Sequence, residues 1–389
     1  MSNFQDLPDE LILKILSYSE IKALLTCGQL SKRIRKISHD NSLWVTANLE
    51  KKIVKTKLLE MILGKECRSL NLCHSTILGS LNSTLTSQLR VLDISQPVQM
   101  WPAKEYVLEA YRDREYCAEN NDVVADLLFS CCSLQSLAME GIQLTPEIAD
   151  GICNNGKTLQ ILNLNCSSVD ELWDLSELTY SNVSKPRTYF EEIFAWCQEL
   201  KEVHINEIEG LDDDDDLEVL VRNIPSNVEK LNLSNIHFSD DHVKILVSRC
   251  NKIKALSLNR WTTDVSLKNI RHHLNLTLEE LSLTASSTEE DRGRFSSPQN
   301  ASLWFDAILE LKSMPRLKCL NLYNKLPHFD HLHPIPTYPP GFENLTESQR
   351  ILNNEYWKEL YKQGIDQFCQ YLRQHLPHLT ITTFFINSL

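Results

Sequence analysis

Residues 243–258 read VKILVSRCNKIKALSL, and two different periodicities meet in them. Val243, Leu246, Val247 and Cys250 recur at i, i+3, i+4 and i+7, the spacing that lays one apolar stripe along a helix. Three residues after the cysteine begins Ile253-x-x-Leu256-x-Leu258, a strand spacing in which alternate side chains share a face. The same pair of patterns stands upstream. Val124/Leu127/Leu128/Cys131 precedes Leu134/Leu137/Met139, and Phe190/Ile193/Phe194/Cys197 precedes Leu200/Val203/Ile205. Ala149/Ile152/Cys153/Gly156 keeps the phase ahead of Leu159/Leu162/Leu164, and Ile365/Phe368/Cys369/Leu372 runs one residue early before Leu376/Leu379/Ile381. Five further windows share the strand frame: Cys67/Leu70/Leu72, Leu89/Leu92/Ile94, Val228/Leu231/Leu233, Leu278/Leu281/Leu283 and Leu317/Leu320/Leu322. Where no extra sequence intervenes, the period is about 25 residues.

Each period is therefore a short strand plus a helix of about three turns, and neither can cover its apolar side alone, so neighbours must stack. Thr145-Pro146 and Ser239-Asp240-Asp241 supply an N-cap followed by proline or acidic residues, which suit a first helical turn. These features resemble the leucine-rich repeat family, in its cysteine-containing, helix-bearing form, over roughly residues 65–385. The resemblance implies an α/β solenoid of about ten repeats, with parallel strands inside and helices outside. The asparagine common after such strands is missing, and Ile142, Ile208, Ile236 and Trp261 occupy its phase. Longer steps between windows place insertions near 96–120, 167–188, 285–302 and 324–350, as surface excursions.

Composition narrows the function. The chain has 389 residues and a net charge of −13, which repels phosphate backbones. No apolar run approaches the roughly 20 residues that cross a bilayer, so neither nucleic acid nor membrane is an expected partner. Twelve cysteines lack CxxC spacing, and the acidic first ten residues lack a basic-then-apolar leader; reduced thiols and a place in the cytoplasm, the nucleus or both are expected. The repeat phase accounts for Cys131, Cys153, Cys197, Cys250 and nearly Cys369 as small apolar fillers. His328, His331 and His333 with Asp330 lie in a proline-rich stretch without metal-ligand spacing, and Asp212–Asp216 precede a helix, where carboxylates favour the N-terminus. There is no phosphate loop, G-x-G-x-x-G, G-x-S-x-G or zinc knuckle, so no catalytic residue, metal or cofactor is expected.

The first fifty residues differ from the repeats. Leu7-Pro8-Asp9-Glu10-Leu11 opens an amphipathic helix with Leu11, Ile12, Ile15 and Leu16 on one side. Ile21, Leu24, Leu25 and Leu30 follow, then the basic turn Lys32, Arg33, Arg35, Lys36 and the pair Leu43-Trp44. About 40 residues cannot enclose that much apolar side chain alone, so something must cover it. The run Leu7, Pro8, Glu10, Leu11, Ile15, Leu16, Leu24, Leu30, Ser31, Lys32, Arg33, Leu43, Trp44 resembles the F-box, with Ser19 where leucine is common and Ile34 where tryptophan is usual. The implied layout is an F-box at 1–50, with three helices, followed by repeats over 51–389.

What that resemblance implies is a non-catalytic subunit of an SCF (Skp–cullin–F-box) ubiquitin ligase. Leu7, Pro8, Glu10, Leu11, Ile15, Leu16, Leu24, Leu30, Leu43 and Trp44 would bind the Skp adaptor, and through it a cullin and a RING subunit. A target protein, phosphorylated or not, would lie on the concave face for ubiquitination and degradation. Along that face the alternate strand residues are polar and mixed in charge, and His204, Lys230, Asn232, Asn259 and Tyr323 are the candidate substrate contacts. Arg260 and Trp261 directly follow a strand and belong to the residue types that dominate interface energies. The alternative is an inhibitor or scaffold of the repeat type, with no ligase role.

Overall fold

A computed structural model describes residues 7–82, 86–96, 114–165, 186–206, 214–234, 236, 238–259, 263–284, 306–323 and 370–384. The four proposed insertions fall largely outside these described residues. The chain divides into two compact units, 1–225 and 226–389.

The first unit begins with three short helices, α1 (Asp9–Leu16), α2 (Ile21–Cys27) and α3 (Lys32–Ser38). Helices of two turns are marginal alone, so tertiary burial must hold them. Ile12, Leu16, Ile21, Leu24, Ile34, Ile37 and Trp44 supply it, each at most 8% exposed. Local chemistry fixes the ends: Pro8 precedes α1, acidic Asp9 and Glu10 fill its first turn, and the Ser31 hydroxyl accepts the Ile34 N–H at 3.1 Å to cap α3.

Strands and helices then alternate. The strands β1 (Thr46–Asn48), β3 (Ser69–Asn71), β5 (Val91–Asp93), β6 (Ser136–Ala138), β7 (Ile161–Asn163) and β8 (Glu202–His204) pair in that order, all parallel. Their register aligns Ala47, Leu70, Leu92, Leu137, Leu162 and Val203 in one buried column, the central position of each window. A separate parallel pair joins β2 (Ile53–Lys55) to β4 (Thr76–Leu78). Between strands lie α4 (Thr56–Leu63), α5 (Arg114–Ser130), α6 (Pro146–Asn154) and α7 (Pro186–Trp196), with α8 (Asp214–Asn223) closing the unit.

The second unit repeats the scheme. Strands β9 (Lys230–Asn232), β10 (Ala255–Asn259), β11 (Glu280–Thr284), β12 (Cys319–Tyr323) and β13 (Thr380–Phe384) are parallel neighbours in order, with helices α9 (Asp240–Arg249) and α10 (Asp264–Leu274) between the first three. The column here is Leu231, Leu256, Leu281, Leu320 and Ile381. The last window is thus two residues later than the leucines suggest. Ile381, rather than Leu379, pairs with Leu320, and a shift of two keeps the same side chains facing inward.

The helical stripes face the core as the period requires. Leu127, Leu128, Cys131, Ile193, Phe194, Cys197, Leu246, Val247 and Cys250 are all fully buried. Both expected caps form: Thr145 Oγ1 accepts the Ile148 N–H, and Ser239 and His242 form a reciprocal capping box. Two polar or small residues carry structure that the leucines do not announce. Asn155, 1% exposed, donates to the carbonyls of Leu128 and Gly151 at 3.2 and 3.1 Å and accepts the Leu134 N–H at 3.3 Å. It thereby ties the end of α6 to α5 and to the approach of β6.

Gly156 stands where three other repeats place Cys131, Cys197 and Cys250. A methyl group there would lie 2.7 Å from the Trp196 carbonyl oxygen and 2.8 Å from its carbon, both backbone atoms that cannot swing away. Gly156→Ala should therefore lower stability by about 1–3 kcal/mol, read as a lower urea midpoint with an unchanged slope. An unchanged midpoint would show that α7 can retreat freely.

Candidate functional site

Two surfaces could recognise a partner, and the first is on the N-terminal helices. Leu11, Ile12, Ile15 and Leu16 of α1 do not share one side. Ile12 and Leu16 point into the core at 0% and 2% exposure, while Leu11 and Ile15, one turn apart, face solvent at 51% and 46%. Tyr18 continues that outer stripe at 78%, and Leu30 adds 62% from the turn after α2. The outer stripe of 11, 15 and 18 follows helical spacing, so Tyr18 was readable from sequence and was missed.

Polar contacts hold this ridge in place. Arg33 of α3 donates from Nε to Asp9 Oδ1 at 2.8 Å and from Nη2 to the Leu7 carbonyl at 2.7 Å, pinning the start of α1. Arg35 donates to the Gly28 carbonyl at 2.8 Å. Two of the four cations in the basic turn are therefore structural, while Lys32 and Lys36 remain exposed. Trp44, 1% exposed, donates from its indole N–H to the Ser38 carbonyl at 2.9 Å, and Lys65 donates to the His39 carbonyl at 2.6 Å. Among the ten adaptor candidates, Pro8, Glu10, Leu11, Ile15 and Leu30 are exposed, Leu7 and Leu43 are half-buried, and Leu16, Leu24 and Trp44 are interior.

The second surface is the solvent-facing side of the strands, whose polar side chains are mostly engaged with one another. The residue between the last two apolar positions of a window is repeatedly Asn or Asp. Asn48, Asn71, Asp93, Asn163 and Asn232 each accept, at 2.8–3.1 Å, the backbone N–H two residues on. This local turn ends the strand and satisfies a donor the sheet leaves open. Asn232, a substrate candidate, also accepts the Ser234 hydroxyl at 2.7 Å, and that hydroxyl meets Ser257 Oγ at 2.7 Å. His204 Nε2 lies 2.9 Å from Glu202 Oε1. Asn321 donates to Glu280 at 2.6 Å and Ser282 at 3.1 Å. Lys230 is exposed. Asn259 and Tyr323 sit at strand ends, and Arg260 and Trp261 lie outside the described residues.

The remaining residues singled out in the sequence are accounted for by packing where they are described. Ile142 and Ile236 are 6% and 4% exposed, apolar substitutes for the missing asparagine. Asp214–Asp216 fill the first turn of α8. Burial pushes the Cys67, Cys153 and Cys250 thiols to about 11 and Cys197 to about 12, so they stay protonated and unreactive at neutral pH. Among the described residues, no group of three or more His, Cys, Asp or Glu could hold a metal, and no helix is long and apolar enough to cross a membrane. Cys369 and the histidines at 328–333 lie outside the described residues.

Comparison with known proteins places these surfaces in context. Among solved structures, a leucine-rich repeat-containing protein of Legionella pneumophila aligns over 88% of this chain and 91% of its own, with a TM-score of 0.39 and 13% identity. An F-box/FBD/LRR-repeat protein of Arabidopsis thaliana is 27% identical over 68% of this chain; the alignment spans 61% of that relative's length. Residues 4–50 match the F-box-like family model. The chain thus carries an F-box-like N-terminal segment, followed by alternating parallel strands and helices.

Proposed function

We propose that this chain is a substrate receptor of an SCF-type ubiquitin ligase. The observation that carries the reading is the outer stripe of Leu11 and Ile15, with Tyr18 and Leu30, left open on helices whose inner stripe is already covered. In a segment matching the F-box-like model, such a stripe suits an adaptor of the Skp type. The interior residues Leu16, Leu24 and Trp44 support the ridge, and Pro8, Glu10, Leu11, Ile15 and Leu30 present it.

No catalytic side chain is required of the receptor. Holding a target lysine beside a charged carrier enzyme raises its effective concentration, and the acceleration comes from that proximity. The polar side of the strands would receive the target, with His204 as the candidate in the first unit and Lys230, Asn232, Asn259 and Tyr323 in the second; Arg260 and Trp261, next in the sequence after Asn259, remain candidates from the sequence alone. A narrower likeness, to S-phase kinase-associated protein 2, rests on Gly28–Leu49, on a similar number of repeats and on the ending Leu376-Pro377-His378-Leu379. It would make the targets phosphorylated cell-cycle inhibitors bound for degradation; the cysteine pattern separately favours a cytoplasmic or nuclear setting.

The test is reconstitution. The full chain, co-expressed with a Skp-type adaptor and a cullin, should elute with both in one peak on size exclusion. Separate elution, together with capture of a basic protein by the isolated chain, would instead favour the inhibitor or scaffold reading. Deleting residues 1–50 does not discriminate, because it also removes β1 and Trp44.

A further inference from the structure

One residue before each strand lies a second row, stacked as regularly as the strands themselves. In the first unit the N–H of Arg90 donates to the Arg68 carbonyl at 2.8 Å, Gln135 to Arg90 at 2.7 Å, Gln160 to Gln135 at 2.8 Å and Lys201 to Gln160 at 2.8 Å. Arg68, Arg90, Gln135, Gln160 and Lys201 therefore occupy five successive rungs. In the second unit the corresponding row is Glu229, Lys254, Glu279 and Lys318, joined by the same bonds at 2.7, 2.7 and 2.8 Å. There the charges alternate and neutralise each other: Lys254 Nζ lies 2.5 Å from Glu229 and Lys318 Nζ 2.5 Å from Glu279. Side chains in this row thus reach from rung to rung.

The first unit lacks that neutralisation. Beyond Val45, whose carbonyl accepts the Arg68 N–H, its row holds three cations, two glutamines and no acid, and Arg68, Arg90 and Lys201 are all exposed. Among the described residues, ion pairs form elsewhere, and none reaches these three. Of the acids close in sequence, Glu202 contacts His204 and Asp93 accepts the Ser95 N–H, while Glu66 and Glu199 are exposed and, among the described residues, form no ion pair with the row. Beside Arg90, Val91 of β5 is 42% exposed, and Ile161 of β7 is partly exposed. In a chain of net charge −13, this row is a local reversal of sign that steers anionic segments toward it.

We infer that Arg68, Arg90, Gln135, Gln160 and Lys201 form a docking row for an extended anionic peptide segment of a target protein. Five rungs at about 4.8 Å span roughly 19 Å, the reach of about six extended residues. The adjacent guanidiniums take carboxylate or phosphate oxygens in forked hydrogen bonds, the glutamine amides meet peptide groups, and Val91 receives an apolar side chain. A nucleic acid fits less well, since three cations beside an acidic remainder neutralise few phosphates.

This deepens the receptor reading by naming the chemistry of its target, but its test needs no adaptor. Anisotropy would be measured with the full chain at about 50 mM salt, using labelled peptides of about eight residues: one glutamate-rich with a single leucine, one with phosphoserines at the glutamate positions and one with lysines there. Either anionic peptide should bind and the lysine peptide should not. R68E/R90E should weaken binding at least tenfold with unchanged melting, while K254A, in the neutralised row, should stay within about twofold. Tighter phosphoserine binding would identify a phosphorylated segment, and equal affinities a carboxylate one. Absence of binding by both anionic peptides, indifference to R68E/R90E, or preference for an RNA oligonucleotide of equal charge would overturn the inference. Co-elution of R68E/R90E with the adaptor, measured separately, keeps failure here distinct from failure of the ligase reading.

Discussion

Leu11→Asp/Ile15→Lys should abolish co-elution with a Skp-type adaptor, weakening binding by a hundredfold or more, while the melting temperature stays within about 2 °C of wild type. The asymmetry follows from where the two side chains stand. Both are about half exposed, so the fold loses little when they change. The new charges also suit the helix, with the acid in its first turn, the base in its last and the two one turn apart for an i,i+4 pair. At an apolar interface the same charges would be stripped of water, a cost of several kcal/mol that one i,i+4 pair does not repay. Retained co-elution with intact folding would remove the proposed dock.

Trp44→Ala should act in the opposite way, lowering stability by about 3–5 kcal/mol in chemical denaturation, because a large side chain at 1% exposure leaves a cavity that its surroundings cannot fill. It also strands the Ser38 carbonyl, which accepts the indole N–H. Trp44→Phe should lose less, chiefly the hydrogen bond at about 1 kcal/mol and some volume. Denaturation of the alanine variant at the wild-type midpoint would contradict the dual position of this residue. Trp44 closes the F-box-like segment and also opens the first strand window: Trp44/Ala47/Leu49 flanks β1 as Cys67/Leu70/Leu72 flanks β3.

That first window shows where sequence reading stopped short. Two periods in a fixed phase announced the alternating strands and helices, since few other folds demand both. The eleventh window stayed hidden because tryptophan and alanine stand where leucine was sought. The last was misplaced by two residues because Leu376 and Leu379 fit the frame while Ile381 takes the column. On α1, apolar residues at 11, 12, 15 and 16 read as one side, though the arc is wide enough for Ile12 and Leu16 to enter the core and Leu11 and Ile15 to stay out. The asparagines between window positions were visible as polar wall residues. Their turn-closing role was not, because the same side chain serves a ligand or its own backbone equally well until the next N–H is placed.

The double membership of Trp44, with the Lys65 contact to His39, has a mechanical corollary. No pliant tether separates anchor from cradle at this junction; helices and opening rung pivot as one lever. If cargo is seated near that rung, its bearing relative to the anchor is fixed at folding, and lysine choice becomes a matter of trajectory rather than of search.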